Sequence, residues 1–118
     1  MQNSLVARNH QSTGQDIVGT LTTGGYNLIQ NFTGVSFVDP MNKHTTDIIG
    51  DTFSDLKIDT VLRNNDGPTE SLALLPGSPA IDKIPLDACR LDGIASDQRG
   101  VKRPQGKGCD IGAYEYRA

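Results

Sequence analysis

The residues in this 118-residue chain that could do chemistry are two cysteines and a run of opposite charges near its end. Cys89 and Cys109 fence residues 90–108. Neither belongs to a Cys-x-x-Cys pair, and both histidines, His10 and His44, lie far upstream in polar stretches. The thiols therefore lack the partners that a zinc site needs. A Cys89–Cys109 disulfide is the leading reading, and two reduced buried thiols are the alternative. A disulfide implies an oxidising compartment. Closing a loop of this size would contribute roughly 3 kcal/mol by restricting the unfolded chain.

The charged set is Asp97, Arg99, Arg103, Asp110 and Glu115. Guanidinium and carboxylate groups at such short spacing predict fork-like ion pairs. Arg99 or Arg103 is expected to pair with Asp97 or Asp110, with Arg103 and Asp110 as the main clasp. The same carboxylates could in principle form an acid–base pair, but nothing elsewhere in the chain suggests a substrate cleft. Arg99, Lys102, Arg103 and Lys107 are interleaved with Asp92, Asp97 and Asp110, which favours internal pairing over an anion site. Asp47, Asp51, Asp55 and Asp59 recur every fourth residue, and Asp87, Asp92 and Asp97 every fifth. Calcium is the cofactor such spacing suggests. No EF-hand or glycine-rich nonapeptide pattern accompanies it, so solvated corner aspartates are the default. No residue is assigned to catalysis, cofactor binding or a metal.

Composition narrows the classes further. A net charge of −3 with no basic face argues against nucleic acid. No apolar run approaches the ~20 residues of a membrane span. Aromatic residues make up only 5% and Trp is absent, so a large compact core is not expected. Acidic residues are nearly all Asp, with Glu only at 70 and 115, and Gly is abundant. Asp and Gly favour turns over helix surfaces.

Short apolar stretches punctuated by such turns predict an all-β chain. Strands are expected within 4–8, 16–22, 26–31, 35–38 and 47–51, with Pro79–Asp82 starting another. Residues 53–64 are the one place for a short helix. Asp16-Ile17-Val18-Gly19 is echoed by Asp47-Ile48-Ile49-Gly50 and, more weakly, by Asp110-Ile111-Gly112, as if one corner recurred on successive turns of a coil. Two-residue hairpin signals flanked by long alternation are missing, because Asp66-Gly67 and Asp92-Gly93 sit in irregular stretches. The expectation is a parallel β-helix, with coils over 1–75 and a disulfide-closed cap over 76–118.

Four strings then carry a resemblance: GYNLIQN (25–31), DIIGD (47–51), GPTESLALLPGSPAID (67–82) and DQRGVKRPQGKGCDIGAYEY (97–116). Together, in this order, they resemble the C-terminal ends of secreted bacterial right-handed β-helix proteins of the choice-of-anchor Q type. The resemblance spans roughly residues 24–116. It implies a secreted or cell-surface protein of which this chain is the terminal part, with a non-enzymatic capping and stabilising role. It also implies that the partner is the preceding part of the parent chain, or another copy joined through an open first coil. Fold resemblance alone does not carry catalysis. Two alternatives remain. One is the end of a carbohydrate-active enzyme such as a polysaccharide lyase, for which only Lys43, Lys57 and Arg63 offer cations outside the tail. The other is a carbohydrate-binding or adhesive module stacking sugars on Tyr26, Phe32, Tyr114 or Tyr116.

Overall fold

The computed structural model describes residues 1–7, 16–17, 19–31, 35–40, 42, 44–49 and 56–117. The chain divides into two compact units, Met1–Ser54 and Asp55–Ala118.

In the first unit the apolar pairs become strands: β1 (Leu5–Val6), β2 (Gly19–Thr22), β3 (Leu28–Ile29), β4 (Val35–Val38) and β5 (Ile48–Ile49), with a 3₁₀ turn at His44–Thr46 before β5. Odd and even strands separate into two sheets. One has the order β1-β3-β5 and the other pairs β2 with β4. All pairings are parallel, with Leu28 aligned to Leu5 and Ile48, and Leu21 to Phe37. β3 is the central strand, and Leu28 and Ile29 are both fully buried, as expected of a parallel strand covered on both faces. β4 alternates half-buried and exposed residues, whereas β2 is exposed except at the half-buried Leu21.

Strands of two residues supply little of their own stability, and side-chain bonds brace them. Asn27 is fully buried. Its Nδ2 donates to the Met1 carbonyl at 3.0 Å, to Thr23 Oγ1 at 3.2 Å and to Asp47 Oδ1 at 3.0 Å. Its Oδ1 accepts from the Ser4 N–H at 3.1 Å. Thr23 Oγ1 donates to Asp47 Oδ2 at 2.6 Å, and the Asn27 N–H donates to Asp47 Oδ1 at 3.0 Å. One amide and one carboxylate thus tie the segments ahead of β1, β3 and β5 together.

The second unit has no strand among its described residues. It is held by isolated antiparallel bridges, Ile58 to Leu74, Arg63 to Ser71, Ile84 to Cys109 and Ser96 to Lys102, and by one helix, α1 (Leu86–Leu91). Its core is Leu56, Ile58, Leu74, Ala80, Ile84, Cys89, Cys109 and Ile111. The helix begins after Pro85, carries Asp87 in its first turn and Arg90 in its last, and ends before Gly93. These are ordinary start and stop signals, and they place the helix outside 53–64, where one was expected.

This architecture overturns the expected β-helix. Among the described residues the sheets have three strands and two, and they neither close nor form a solenoid. The echoed corners are not equivalent either: Gly19 opens β2 in one sheet, whereas Ile48–Ile49 forms β5 in the other. Past residue 55 the bridges run antiparallel. Asp66-Gly67 lies in the broad turn between Arg63 and Ser71, so a hairpin-like reversal is present without a tight two-residue turn. Residues 56–64 are not helical, and 79–82 form a turn in place of a strand. Asp82 there adopts a left-handed φ of 58°, which an extended strand would not contain. Among the described residues, no helix is long and apolar enough to cross a membrane.

One close approach fixes the second unit. Ile84 and Cys109 exchange backbone hydrogen bonds of 2.9 and 2.8 Å. A Cβ on the neighbouring Gly108 would lie 2.6 Å from the Ile84 carbonyl oxygen. Backbone cannot yield as a side chain can, so Gly108→Ala is expected to destabilise the protein by about 2–3 kcal/mol. Urea denaturation of the two forms checks this, and an unchanged midpoint would contradict the packing described.

Candidate functional site

Cys89, on α1, is joined to Cys109 by a disulfide, with the Cα atoms 6.1 Å apart. Both residues are buried. The bond ties the helix to the bridge that Cys109 makes with Ile84.

The charged set converges beside it. Asp97 caps its own turn: Oδ1 accepts the N–H groups of Arg99 at 2.8 Å and Val101 at 3.0 Å. Its Oδ2 accepts Arg99 Nε at 2.9 Å, Arg99 Nη2 at 2.8 Å and the Glu115 N–H at 2.9 Å. Arg99 Nη2 also donates to the Glu115 carbonyl at 2.7 Å. Its guanidinium carbon lies 3.7 Å from the centre of the Tyr114 ring, within cation–π range.

Arg103 makes a second knot. Nη1 donates to Glu115 Oε2 at 2.9 Å and to the Asp110 carbonyl at 2.8 Å, and Nη2 donates to the Gly112 carbonyl at 2.7 Å. Glu115, fully buried, also accepts the Asp110 N–H on Oε2 at 2.9 Å and the Gln105 N–H on Oε1 at 3.2 Å. The Asp110 carboxylate turns the other way. It accepts the Asp82 N–H at 2.8 Å and the Tyr116 N–H at 2.6 Å.

All five charged residues singled out from the sequence therefore meet, but their pairing differs from the expected clasp. Arg99 pairs with Asp97. Arg103 takes Glu115 as its carboxylate and only the backbone oxygen of Asp110. The reason is geometric: residues 110–115 curl around the guanidinium and present two carbonyls and one carboxylate to its donors, while the Asp110 side chain is spent on two backbone N–H groups. Asp82 went unnoticed in the sequence, although its N–H holds Asp110 and its Oδ1 accepts the Gly108 N–H at 3.2 Å. Asn27, Thr23 and Asp47 were missed as well. Buried polar bracing has no spacing signature.

The electrostatics follow burial. Desolvation pushes the Glu115 carboxyl above its ordinary range, and the nearby Asp110 charge adds to this, against the N–H donors and Arg103. Asp110 is raised in the same way, chiefly by desolvation. Asp97 suffers desolvation too, but the Glu115 N–H, the Arg99 side chain and the Val101 and Arg99 N–H groups outweigh it and hold the carboxyl below its ordinary range. The side chains of Asp97 and Glu115 are wholly buried, and those of Arg99 and Arg103 are 6% and 5% exposed. In this arrangement the carboxylates order a loop that has little apolar area.

Other anticipated sites lie apart from this cluster. Asp59 is ion-paired with exposed Arg63 at 2.7 Å, and hydrogen bonding to that side chain lowers its pKa. Asp51, Asp55, His10, Phe32 and Lys43 fall outside the described residues, as does the His44 side chain. Among the described residues, no group of three or more His, Cys, Asp or Glu side chains is placed to hold a metal ion. No family model, curated protein or solved structure matches the chain.

Two outcomes are expected from this geometry. Arg103→Ala leaves Glu115 buried without its cation and should cost about 3–5 kcal/mol. Arg103→Lys should not restore the loss, because an ammonium cannot span two carbonyls and a carboxylate in one plane. Arg63→Ala, at the exposed pair, should leave stability nearly unchanged. Urea midpoints of the three variants check the set.

The second outcome concerns pH. Glu115 and Asp110 have raised values, so the folded chain binds their protons before the unfolded chain does. Their cost is relieved, and stability gained, as pH falls from neutral towards the ordinary carboxylate range. Asp97 acts oppositely: the stability it adds above its ordinary value of 3.8 is lost as pH falls through its lowered one. In Glu115→Gln the first gain is diminished. The stability difference in favour of the native protein should therefore widen as pH is lowered from about 7 to 4.5, the ordinary Glu value. Parallel pH profiles for the two proteins would contradict the assignment.

Proposed function

We propose that the chain is a non-enzymatic structural module at the C-terminal end of a secreted or cell-surface protein of the choice-of-anchor Q type. Its role is to terminate and stabilise the parent chain. The observation that carries this reading is the fate of the tail's reactive groups. The carboxylates of Asp97, Asp110 and Glu115 are all engaged by N–H donors or guanidinium groups of the same segment. The two thiols are engaged by each other. A loop fastened in this way suits a terminus that must persist without a large core. The buried disulfide supports an oxidising, extracellular destination.

The carbohydrate-binding alternative gains less support. Tyr114 has the Arg99 guanidinium over one face, and Tyr26, Tyr114 and Tyr116 are each half-buried.

The test is thiol counting on protein isolated from its natural host without reductant and then denatured. No free thiol is expected before reduction and two after it. Two free thiols before reduction would overturn the secreted reading.

A further inference from the structure

Asp-Gly is a chemically labile pair, and the chain contains it twice, at Asp66-Gly67 and Asp92-Gly93. The glycine amide nitrogen can attack the carboxyl carbon of the aspartate side chain, because no Cβ shields the nitrogen. A C–N bond forms, the carboxyl hydroxyl and the amide proton leave as water, and a succinimide results. Water then opens the ring. Attack at the side-chain carbonyl returns aspartate. Attack at the main-chain carbonyl gives isoaspartate, with the backbone rerouted through the former side chain. The step needs an accessible carboxyl and an amide nitrogen free to turn towards it.

The fold separates the two pairs. Asp66 is exposed, and its carboxyl makes no hydrogen bond or ion pair among the described residues. The Gly67 nitrogen likewise donates to no atom among them. Beyond the Arg63–Ser71 bridge, residues 64–70 make no backbone–backbone hydrogen bond among the described residues, so local rotation there breaks little. The Asp66 N–H donates to Asn64 Oδ1 at 3.0 Å, and the residue sits at a left-handed φ of 71°, a strained conformation for any residue but glycine. Asp92-Gly93 is the reverse case. Asp92 is half-buried and ends α1, with its N–H on the Ala88 carbonyl at 2.9 Å. The Gly93 N–H donates to the Arg90 carbonyl at 3.2 Å. That nitrogen must leave the helix cap before it can attack.

We propose that Asp66-Gly67 is a site of spontaneous isoaspartate formation, whereas Asp92-Gly93 is protected by the C-terminal cap of α1. The position matters for the charged tail. A Cβ on Gly67 would lie 2.8 Å from Gln98 Oε1 and 2.9 Å from Arg99 Cγ, so the bend packs directly on the turn that Asp97 caps. Gln98 Nε2 also donates to the Thr69 carbonyl at 3.3 Å. The same close approach requires glycine after Asp66 and so places the labile pair at this point. Isoaspartate adds a main-chain carbon between Asp66 and Gly67 and shifts the glycine against Gln98 and Arg99. This assignment is independent of the role proposed for the chain as a terminal module.

The test is ageing of the intact, disulfide-bonded protein for weeks at mildly acidic pH and physiological temperature. The carboxyl reacts as the neutral acid, so mild acid favours the step. Digestion with a protease that cuts before aspartate but not before isoaspartate, followed by mass spectrometry, reads each site. Isoaspartate is expected at residue 66 about tenfold faster than at residue 92, the factor set by the cap hydrogen bonds that must break at Gly93. In protein unfolded with guanidinium chloride the two sites should react at similar rates, because the fold alone distinguishes them. The proposal is overturned if residue 66 gains no isoaspartate in the folded protein, if residue 92 reacts there as fast or faster, or if the gap persists unchanged after unfolding.

Discussion

The second unit depends on one carboxylate that water does not reach. Glu115 is fully buried, and a buried charge is tolerated only when it is paired and hydrogen-bonded. Arg103 supplies the charge, and the N–H groups of Asp110 and Gln105 supply the remaining donors. Meeting that demand draws three stretches of chain to one point. The backbone of Glu115 is used too: its N–H holds Asp97 and its carbonyl holds Arg99. A segment with little apolar area thereby acquires a single conformation. The net energy of such a knot is modest, because desolvation offsets much of the attraction. Its effect is specificity: losing any one partner strands the others away from water.

The disulfide and the charge knot divide the work. Cys89–Cys109 restrains the unfolded chain and pins α1 to the Ile84–Cys109 bridge. The arginines order what lies between and beyond the cysteines. Asp110 connects the two systems. It follows Cys109 directly, its side chain holds Asp82 and Tyr116, and its backbone holds Arg103 and Glu115. The first unit reaches the same end by neutral and singly charged groups. Its two-residue strands are braced by Asn27 and Asp47 in place of a wide apolar core.

Misreadings of the sequence share a cause. Short apolar runs between turns are compatible with parallel or antiparallel pairing, because strand direction is set by the path of the connection and not by the run itself. The Asp-apolar-apolar-Gly echo looked like a repeated corner, yet its copies fall at different points of two sheets. The helix at Leu86–Leu91 is short and runs only into the start of the disulfide-closed loop, although Pro85, Asp87, Arg90 and Gly93 mark its ends.

What the sequence determined by itself was chemical inventory and position. Two cysteines lay within reach of each other, with no metal-binding partner nearby. Two arginines and three carboxylates were packed into a tail with too few apolar residues to order itself by burial. Those facts follow from residue type and spacing, which limit what can bond to what. Tertiary structure alone decided who bonds to whom. Each arginine had several carboxylates within sequence reach, and the choice fell to the path of residues 110–115 around Arg103 and to the backbone N–H groups that engage the Asp110 carboxylate. Desolvation makes that choice steep, because a buried carboxylate is stable only where every donor arrives together, and no spacing along a chain specifies such a convergence.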